Sequence, residues 1–365
     1  MNILTIFEDG RIGGPHKQFF YFFKTLSKKN LDKHFLIMPG LKKKIKFKKE
    51  LNLLRLNLVY LSYLNIFSYI ATFITDIFKI IKIINIHKIE KVYIAGGSGC
   101  LKSVLASVIS RTNFIWHIHD SNSNKILFFY FNFFKFFAEK IIFVSKKSKN
   151  FYLKKNFLNY IILPSAVDLN YFNKKCFNNK INKTIITIAN INPDKNILML
   201  IDLINYIEKK NKNIQFKLVG KVWDSQIHYF KNIKKIIKEK KLRNLKFIKS
   251  ANSVENFLKN SDLLLVTSKN ESMPLSICEA MASSKPIIST DVGDIKNFVE
   301  FKGKKNLFAG KVFKQQDYES MGNYILKLYE NKKKIKFLAK NSKKISHKFF
   351  DIVQYKKNLN ILLNA

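Results

Sequence analysis

Asn260-Ser-Asp-Leu-Leu-Leu-Val-Thr-Ser268 runs into Lys269-Asn-Glu-Ser-Met-Pro-Leu-Ser-Ile-Cys-Glu279, and the reading of these residues decides the fold. The apolar run from Leu263 to Val266 is short and does not alternate, which suits a strand buried on both faces of a parallel sheet. Lys269 and Asn270 break it. Pro274 is tolerated only in the first turn of a helix, so a helix starts near Pro274. Its free N–H groups and positive dipole end form a seat for an anion such as phosphate. Glu271 lies in the loop and Glu279 about one turn into the helix, so two carboxylates flank that seat. A helix cap plus a solvated Glu would account for one such pair taken alone; the rest of the chain argues against it.

Strand followed by helix recurs outward from this stretch. Apolar runs at 3–7, 34–38, 91–95, 113–119 and 141–144 form one series, and a second begins at Thr184. Alternation of this kind predicts two doubly wound parallel sheets. A length of 365 residues, too long for one ordinary core, agrees. The boundary is expected near Leu163, before an Asn- and Lys-rich stretch at 173–183. The expected domains are therefore 1–163 and 164–345. An amphipathic tail at 346–365 follows, carrying Phe349, Phe350, Ile352 and Tyr355. No internal repeat or secretory signal is read. Cys100, Cys176 and Cys278 show no metal or redox spacing and agree with a reducing cytoplasm.

The formal charge is +41, which raises nucleic acid or an anionic surface as partners. Only four of the 66 basic residues are Arg (Arg11, Arg55, Arg111 and Arg243), whereas a nucleic-acid reader favours Arg for bidentate contacts. Nucleic acid is accordingly excluded. An anionic membrane surface is the better partner, because Leu41-Lys-Lys-Lys-Ile-Lys-Phe-Lys-Lys-Glu-Leu51 interleaves Lys with apolar residues. A solvated lysine-rich loop is the alternative.

Two apolar stretches bear on the same question. Residues 56–75 are uncharged and about twenty long, enough for a bilayer span. Ser62, Asn65, Ser68, Thr72 and Thr75, however, recur at three and four and draw a polar stripe, which favours a helix covering a sheet. Residues 126–138 hold eight aromatics between Phe128 and Phe137 and are too short to cross a bilayer. Two readings stay open for them: a core helix, or an aromatic patch with Lys135 that dips into a lipid interface.

Further motifs order themselves around the opening stretch. Gly10-Arg-Ile-Gly13-Gly14-Pro-His lies where the first strand turns into its helix, and it is not Gly-x-Gly-x-x-Gly, which disfavours a dinucleotide cofactor. Trp116-His-Ile-His119-Asp120 ends a strand; His117 and His119 share one face, but no third metal ligand is evident. Ile142-Phe-Val-Ser145-Lys and Leu163-Pro-Ser-Ala-Val-Asp168-Leu-Asn-Tyr-Phe172 follow. Ile188-Ala-Asn-Ile-Asn-Pro193-Asp-Lys195-Asn places a Lys after Pro193 at a strand end, and Phe216-Lys-Leu-Val-Gly220 is the next strand.

Taken in this order, and together with the spacing of Glu271 and Glu279, these motifs resemble the retaining glycosyltransferases of family 4 along nearly the whole chain. The resemblance implies the GT-B fold. In that fold two Rossmann-like domains face a cleft, the first binds acceptor, the second binds nucleotide sugar, and the C-terminal helix crosses back to the first domain. It implies Lys195 on the donor diphosphate, Glu271 on hydroxyls of the transferred sugar, Glu279 on the ribose, and His119 near the sugar as orientation or electrostatic support. Gly13, Gly14, Asn190, Gly220, Met273, Pro274 and Leu275 are implied to line the donor site. No metal or other cofactor is expected, since no Asp-x-Asp occurs in the chain.

Asn190 stands where many relatives carry a second phosphate-binding Arg. Ser165-Ala166 replaces an Asn-Gly turn, Ser284 a Gly, and Asp294 the second Gly of a pair. The implied function is transfer of a sugar from a nucleoside diphosphate to a glycan or lipid-linked acceptor in surface polysaccharide or lipopolysaccharide assembly. The enzyme would sit on the inner face of the cytoplasmic membrane. A sugar-nucleotide 2-epimerase of the same fold and a catalytically silent membrane-bound partner are the alternatives.

Overall fold

The computed structural model describes residues 1–10, 13–24, 33–39, 52–62, 65–153, 157–176, 181–249, 254–303 and 306–364. The chain divides into two compact units, Met1–Pro164 with Ile352–Ala365, and Ser165–Asp351.

Among the described residues the first unit holds a seven-stranded sheet: β1 (Ile3–Ile6), β2 (His34–Ile37), β3 (Asn52–Leu54), β4 (Lys91–Gly96), β5 (Asn113–Ile118), β6 (Lys140–Phe143) and β7 (Tyr160–Ile162). All neighbouring pairs are parallel, in the order β3-β2-β1-β4-β5-β6-β7. The strands read as unbroken apolar runs because both faces are covered; Leu4, Ile6, Val92, Ile94, Phe114, Trp116 and Ile141 are all buried. β3 and β7 were not expected, since three residues carry too little pattern to be read.

The connections β3 to β4, β4 to β5 and β5 to β6 all move the same way along the sheet. Right-handed crossovers therefore place the helices Ile66–Ile86, Leu101–Ile109 and Lys125–Phe134 on one face. Ile77, Ile80 and Ile84, Val104, and Phe131 from these helices share one core with the strands. The helix Gly14–Phe23 joins β1 to β2 on the other face, and there Phe22 meets Tyr355 of the helix Ile352–Asn364 edge to face.

The C-terminal tail returns to the first unit at Ile352 and not at 346. Phe349 and Phe350 stay with the second unit because their rings pack on Phe298 and Phe301.

The second unit carries β8 (Thr184–Ile188), β9 (Gln215–Gly220), β10 (Leu245–Lys249), β11 (Leu263–Val266) and β12 (Ile287–Thr290). A short antiparallel pair, β13 (Glu300–Phe301) and β14 (Leu307–Phe308), precedes β15 (Gly310–Phe313). Its six-stranded parallel sheet runs β10-β9-β8-β11-β12-β15, so the order reverses between β8 and β11. The register of that central pair is pinned by Asp262. Its carboxylate accepts the backbone N–H groups of Asn182 at 2.9 Å and Thr184 at 2.8 Å, and the Tyr329 hydroxyl at 3.1 Å.

Two expectations are corrected. The stretch 56–75 is not one helix: the helix begins at Ile66 and runs to Ile86. Nor does its polar stripe alone form the solvent face, for Thr72 accepts from the buried Lys102 while Phe67, Ile70, Ile74 and Phe78 are exposed. Of the aromatic stretch only Phe131 and Ala138 are buried, so it is not a core helix. The basic stretch 41–51 lies outside the described residues.

Candidate active site

In an open parallel sheet, ligands sit at the C-terminal strand ends where the strand order reverses. In the second unit that point lies between β8 and β11, and it is there that Lys195 and Glu271 meet. Lys195 ends a single 3-10 turn, Pro193–Lys195, that follows β8. The Asn192 side chain caps this turn by accepting the Lys195 N–H at 3.1 Å, and Asn196 takes a left-handed conformation, φ 49°, to start the next helix. Lys195 Nζ donates to Glu271 Oε1 at 2.5 Å, and the Ser268 hydroxyl donates to the same oxygen at 2.9 Å.

The loops carrying the pair are laced together. The Thr267 hydroxyl donates to the Lys195 carbonyl at 3.1 Å, the Lys269 N–H to the Asp194 carbonyl at 2.7 Å, and the Thr290 hydroxyl to the Ser268 carbonyl at 2.7 Å. An ammonium has three N–H donors, so one directed to Glu271 leaves two that can meet anionic oxygens.

The helix after the loop spans Leu275–Ala282 with Pro274 at its N-cap, as the sequence reading placed it. Met273 and Leu275 are buried, and Glu279 sits on the helix with only 2% of its surface exposed. Gly293 takes φ +57°, and a Cβ there would lie 2.8 Å from the Glu271 carbonyl and closer still to that of Ser272. Only glycine lets this turn press against the loop that holds Glu271. Gly220 lies against the Ala189 carbonyl in the same manner, beside Asn190. Asn190 itself accepts the Lys221 N–H at 3.3 Å, which makes it a backbone clamp between the ends of β8 and β9.

The other departures resolve individually. Ser284 does adopt left-handed backbone, φ 57°, whereas Asp294 at φ −98° has no need of glycine. Ser165 donates to the Met273 carbonyl at 3.5 Å, and its own carbonyl accepts Cys278 Sγ at 3.4 Å, so that loop supports the helix start.

In the first unit the strand order reverses between β1 and β4, and Gly13, Gly14 and His119 belong to that edge. The Gly13 N–H donates to His16 Nδ1 at 3.3 Å, which leaves His16 Nε2–H for the Asp9 carbonyl at 2.9 Å. The His117 and His119 rings lie 4.0 Å apart between centroids. His117 Nδ1 is 2.5 Å from the Tyr93 hydroxyl, which also bonds Tyr355 of the returning helix.

Burial pushes this edge toward its uncharged forms. It pulls His119 down to about 3, with His16 adding to the effect, and it lowers His117 and His16 as well. It raises Asp120 even though Ser98 donates to Asp120 Oδ2 through its N–H at 3.0 Å and its hydroxyl at 3.2 Å. Glu8, buried just past β1, is pushed up to about 7 by burial while its Oε1 accepts the Ser103 N–H at 2.7 Å.

Of the residues named from sequence, Lys195 and Glu271 are brought into contact, and Met273, Pro274, Leu275 and Glu279 follow directly in the same loop and helix. Asn190 and Gly220 shape the neighbouring strand ends. Ser268, Gly293 and Glu8 were missed. Ser268 and Glu8 each stand just beyond an apolar strand, a position from which they could have been read.

Residues 172–345 match the family described as glycosyl transferases, group 1. An uncharacterized glycosyltransferase of Methanocaldococcus jannaschii is 30% identical over 261 residues, covering 69% of this chain and 68% of its own length. The trehalose synthase of Thermococcus litoralis is 27% identical over 70% of this chain, which spans 65% of that enzyme. For CapH, a capsular polysaccharide biosynthesis glycosyltransferase of Staphylococcus aureus, identity is 27% and coverage 56% of either chain. Among solved structures, Anabaena HepE in complex with UDP and glucose superposes with a TM-score of 0.83 over the full length of both chains at 18% identity. The sucrose-phosphate synthase of Thermosynechococcus elongatus gives 0.82 at 14% identity, over 100% of this chain and 98% of its own. Both likenesses establish the fold, which is GT-B.

Proposed function

Since the chain belongs to the group 1 glycosyltransferases, we propose that it moves a sugar from a nucleoside diphosphate to a glycan or lipid-linked acceptor with retention of anomeric configuration. The product would enter surface polysaccharide or lipopolysaccharide assembly. The observation that carries this reading is the Lys195–Glu271 pair, held at 2.5 Å across the point where the second sheet reverses.

Breaking the bond from anomeric carbon to phosphate oxygen leaves the electron pair on the diphosphate and positive character on the ring. The group most needed is a fixed donor at the leaving oxygen. Lys195 and the backbone N–H groups at the start of the helix Leu275–Ala282 fill that role. Glu271, oriented by Lys195 and Ser268, takes the sugar hydroxyls, and Glu279, buried one turn along, takes the ribose. The acceptor oxygen bonds to the anomeric carbon as the bond to the diphosphate breaks, and its proton passes to the departing diphosphate oxygen. Asn190 leaves the diphosphate with one fewer cation than two-cation relatives have, so Lys195 bears more of the leaving-group charge. The site works without a metal, and the protein acts at the inner face of the cytoplasmic membrane.

HepE was solved with UDP, which makes UDP the first nucleotide to try. Calorimetric titration with UDP, GDP, ADP, CMP and dTDP tests the reading. Saturable binding of one diphosphate, lost in Glu279→Ala, is the expected result. Binding of none of the five would overturn it.

A further inference from the structure

The first unit carries an outer surface that its core does not explain. On the helix Ile66–Ile86, Phe67 is 86% exposed and Ile70, Ile74 and Phe78 are each 65% exposed; they recur at three, four and four and so form one ridge. Beyond the helix Leu101–Ile109, on the same face of the sheet, a second ridge runs through Ile126, Phe129, Phe133 and Phe136, with exposures from 59% to 80%. The Tyr130 hydroxyl, donating to the Leu101 carbonyl at 3.0 Å, ties this second helix to the one between the ridges. Large apolar side chains contiguous on one face mark an interaction site.

The charges on the two helices indicate its partner. The helix Ile66–Ile86 has one carboxylate, Asp76, and it is turned inward. Its Oδ2 accepts from Lys102 Nζ at 2.6 Å, with both side chains almost wholly buried, and its Oδ1 accepts from Lys79 Nζ at 3.2 Å. The helix Lys125–Phe134 has no acidic residue at all. What these helices show to solvent is therefore apolar side chains, Lys and the uncharged Ser68, Thr75 and Asn85, with Lys79, Lys82 and Lys125 the exposed charges. A second copy of this chain would bring like charge against like, and no exposed carboxylate on either helix would compensate it. An anionic lipid surface matches both features.

We propose that the outer layer formed by these helices lies in the interface of an anionic bilayer, with the helix Ile66–Ile86 parallel to the membrane plane and Phe67, Ile70, Ile74 and Phe78 entering the acyl boundary. At about 1.5 Å per residue its 21 residues extend about 30 Å along the surface. No helix among the described residues is long and apolar enough to span, which leaves docking from one side. The exposed Phe129, Phe133, Phe136 and Phe137 act as the second foot, with Lys135 held over the Phe136 ring at 5.2 Å. The inference rests on the reading that the acceptor is met at a membrane, and it assigns the surface that meets it.

The test is co-sedimentation of the full chain with vesicles of three parts phosphatidylcholine to one of phosphatidylglycerol, and with pure phosphatidylcholine. The expected result is binding to the anionic vesicles alone. The combined variant Phe67→Ser, Ile70→Ser, Ile74→Ser, Phe78→Ser should lower the bound fraction at least tenfold, and a Phe133→Trp reporter should blue-shift on vesicle addition. UDP titration in vesicle-free buffer is read alongside, so that loss of nucleotide binding, which would count against the sugar-transfer reading, is separated from loss of docking. Undiminished binding by the four-residue variant would overturn the proposal. So would loss of binding only when Lys42, Lys43, Lys44, Lys46, Lys48 and Lys49 become Gln, or a ridge-dependent dimer in sedimentation velocity.

Discussion

The two units share a topology and differ in chemistry at the same place. Each parallel sheet reverses its strand order once, and side chains gather at the strand ends beside the reversal. In the second unit they are charged and partly open: Lys195 and Glu271 keep 23% and 12% of their side-chain surface. In the first unit His117, His119, Asp120 and Glu8 are all pushed by burial toward their uncharged forms. One scaffold thus carries an ion pair at one edge and groups pushed toward their uncharged forms at the other.

The largest expected effect lies at the charged edge. Lys195→Ala and Glu271→Ala should each lower donor turnover at least a hundredfold with the fold retained, the scale on which removing one preorganised transition-state donor acts. Initial rates with circular dichroism as a control check this. Wild-type rates in either variant would erase the contrast between the edges.

Glu8 sharpens the contrast from the other side. A carboxyl whose folded pKa is about 7 against 4.5 unfolded binds its proton more tightly in the fold, so its contribution to stability falls as pH rises from 4.5 to 7. Glu8→Gln should therefore raise stability at pH 8 by about 1 to 3 kcal/mol and change it little at pH 4. Urea midpoints at the two pH values measure it. An equal change at both would mean that the carboxylate is ionised in the fold and the first edge is not neutral.

Gly293→Ala should cost about 2 kcal/mol, since it forces left-handed backbone on a Cβ that faces two carbonyls. Thermal unfolding reads the loss, and an unaltered midpoint would mean that the loop under Glu271 is not wedged. The smallest effect belongs to His119. With its folded value near 3, it should contribute no inflection to the rate between pH 5 and pH 8. An inflection near 6.5 removed by His119→Gln would show that its ring is open to water.

The sequence revealed strands better than surfaces. The runs ending at Ile6, Ile118 and Val266 are buried on both faces and so are unbroken in the chain, which is why the sheets and the helix start near Pro274 could be read. Lys195 and Glu271 were legible singly, from a proline turn and from a spacing, but their contact joins residues 76 apart and depends on β8 and β11 being neighbours. The helix Ile66–Ile86 covers the sheet as its pattern suggested, but its exposed ridge of Phe67, Ile70, Ile74 and Phe78 was not legible, because apolar side chains face out against the usual rule while Thr72 and Asp76 turn inward to serve Lys102. The link from Tyr355 through Tyr93 to His117 had no local signal, since it closes between opposite ends of the chain.

The most direct comparison is the affinity of one nucleoside diphosphate, UDP first, for the wild type, Lys195→Ala and His119→Ala. Loss of a charged hydrogen bond should weaken the Lys195 variant by about 1 to 3 kcal/mol, roughly five- to 150-fold in Kd, and leave the His119 variant unchanged. Equal affinity in all three, or a loss confined to His119→Ala, would contradict the assignment of the diphosphate to the second unit's edge.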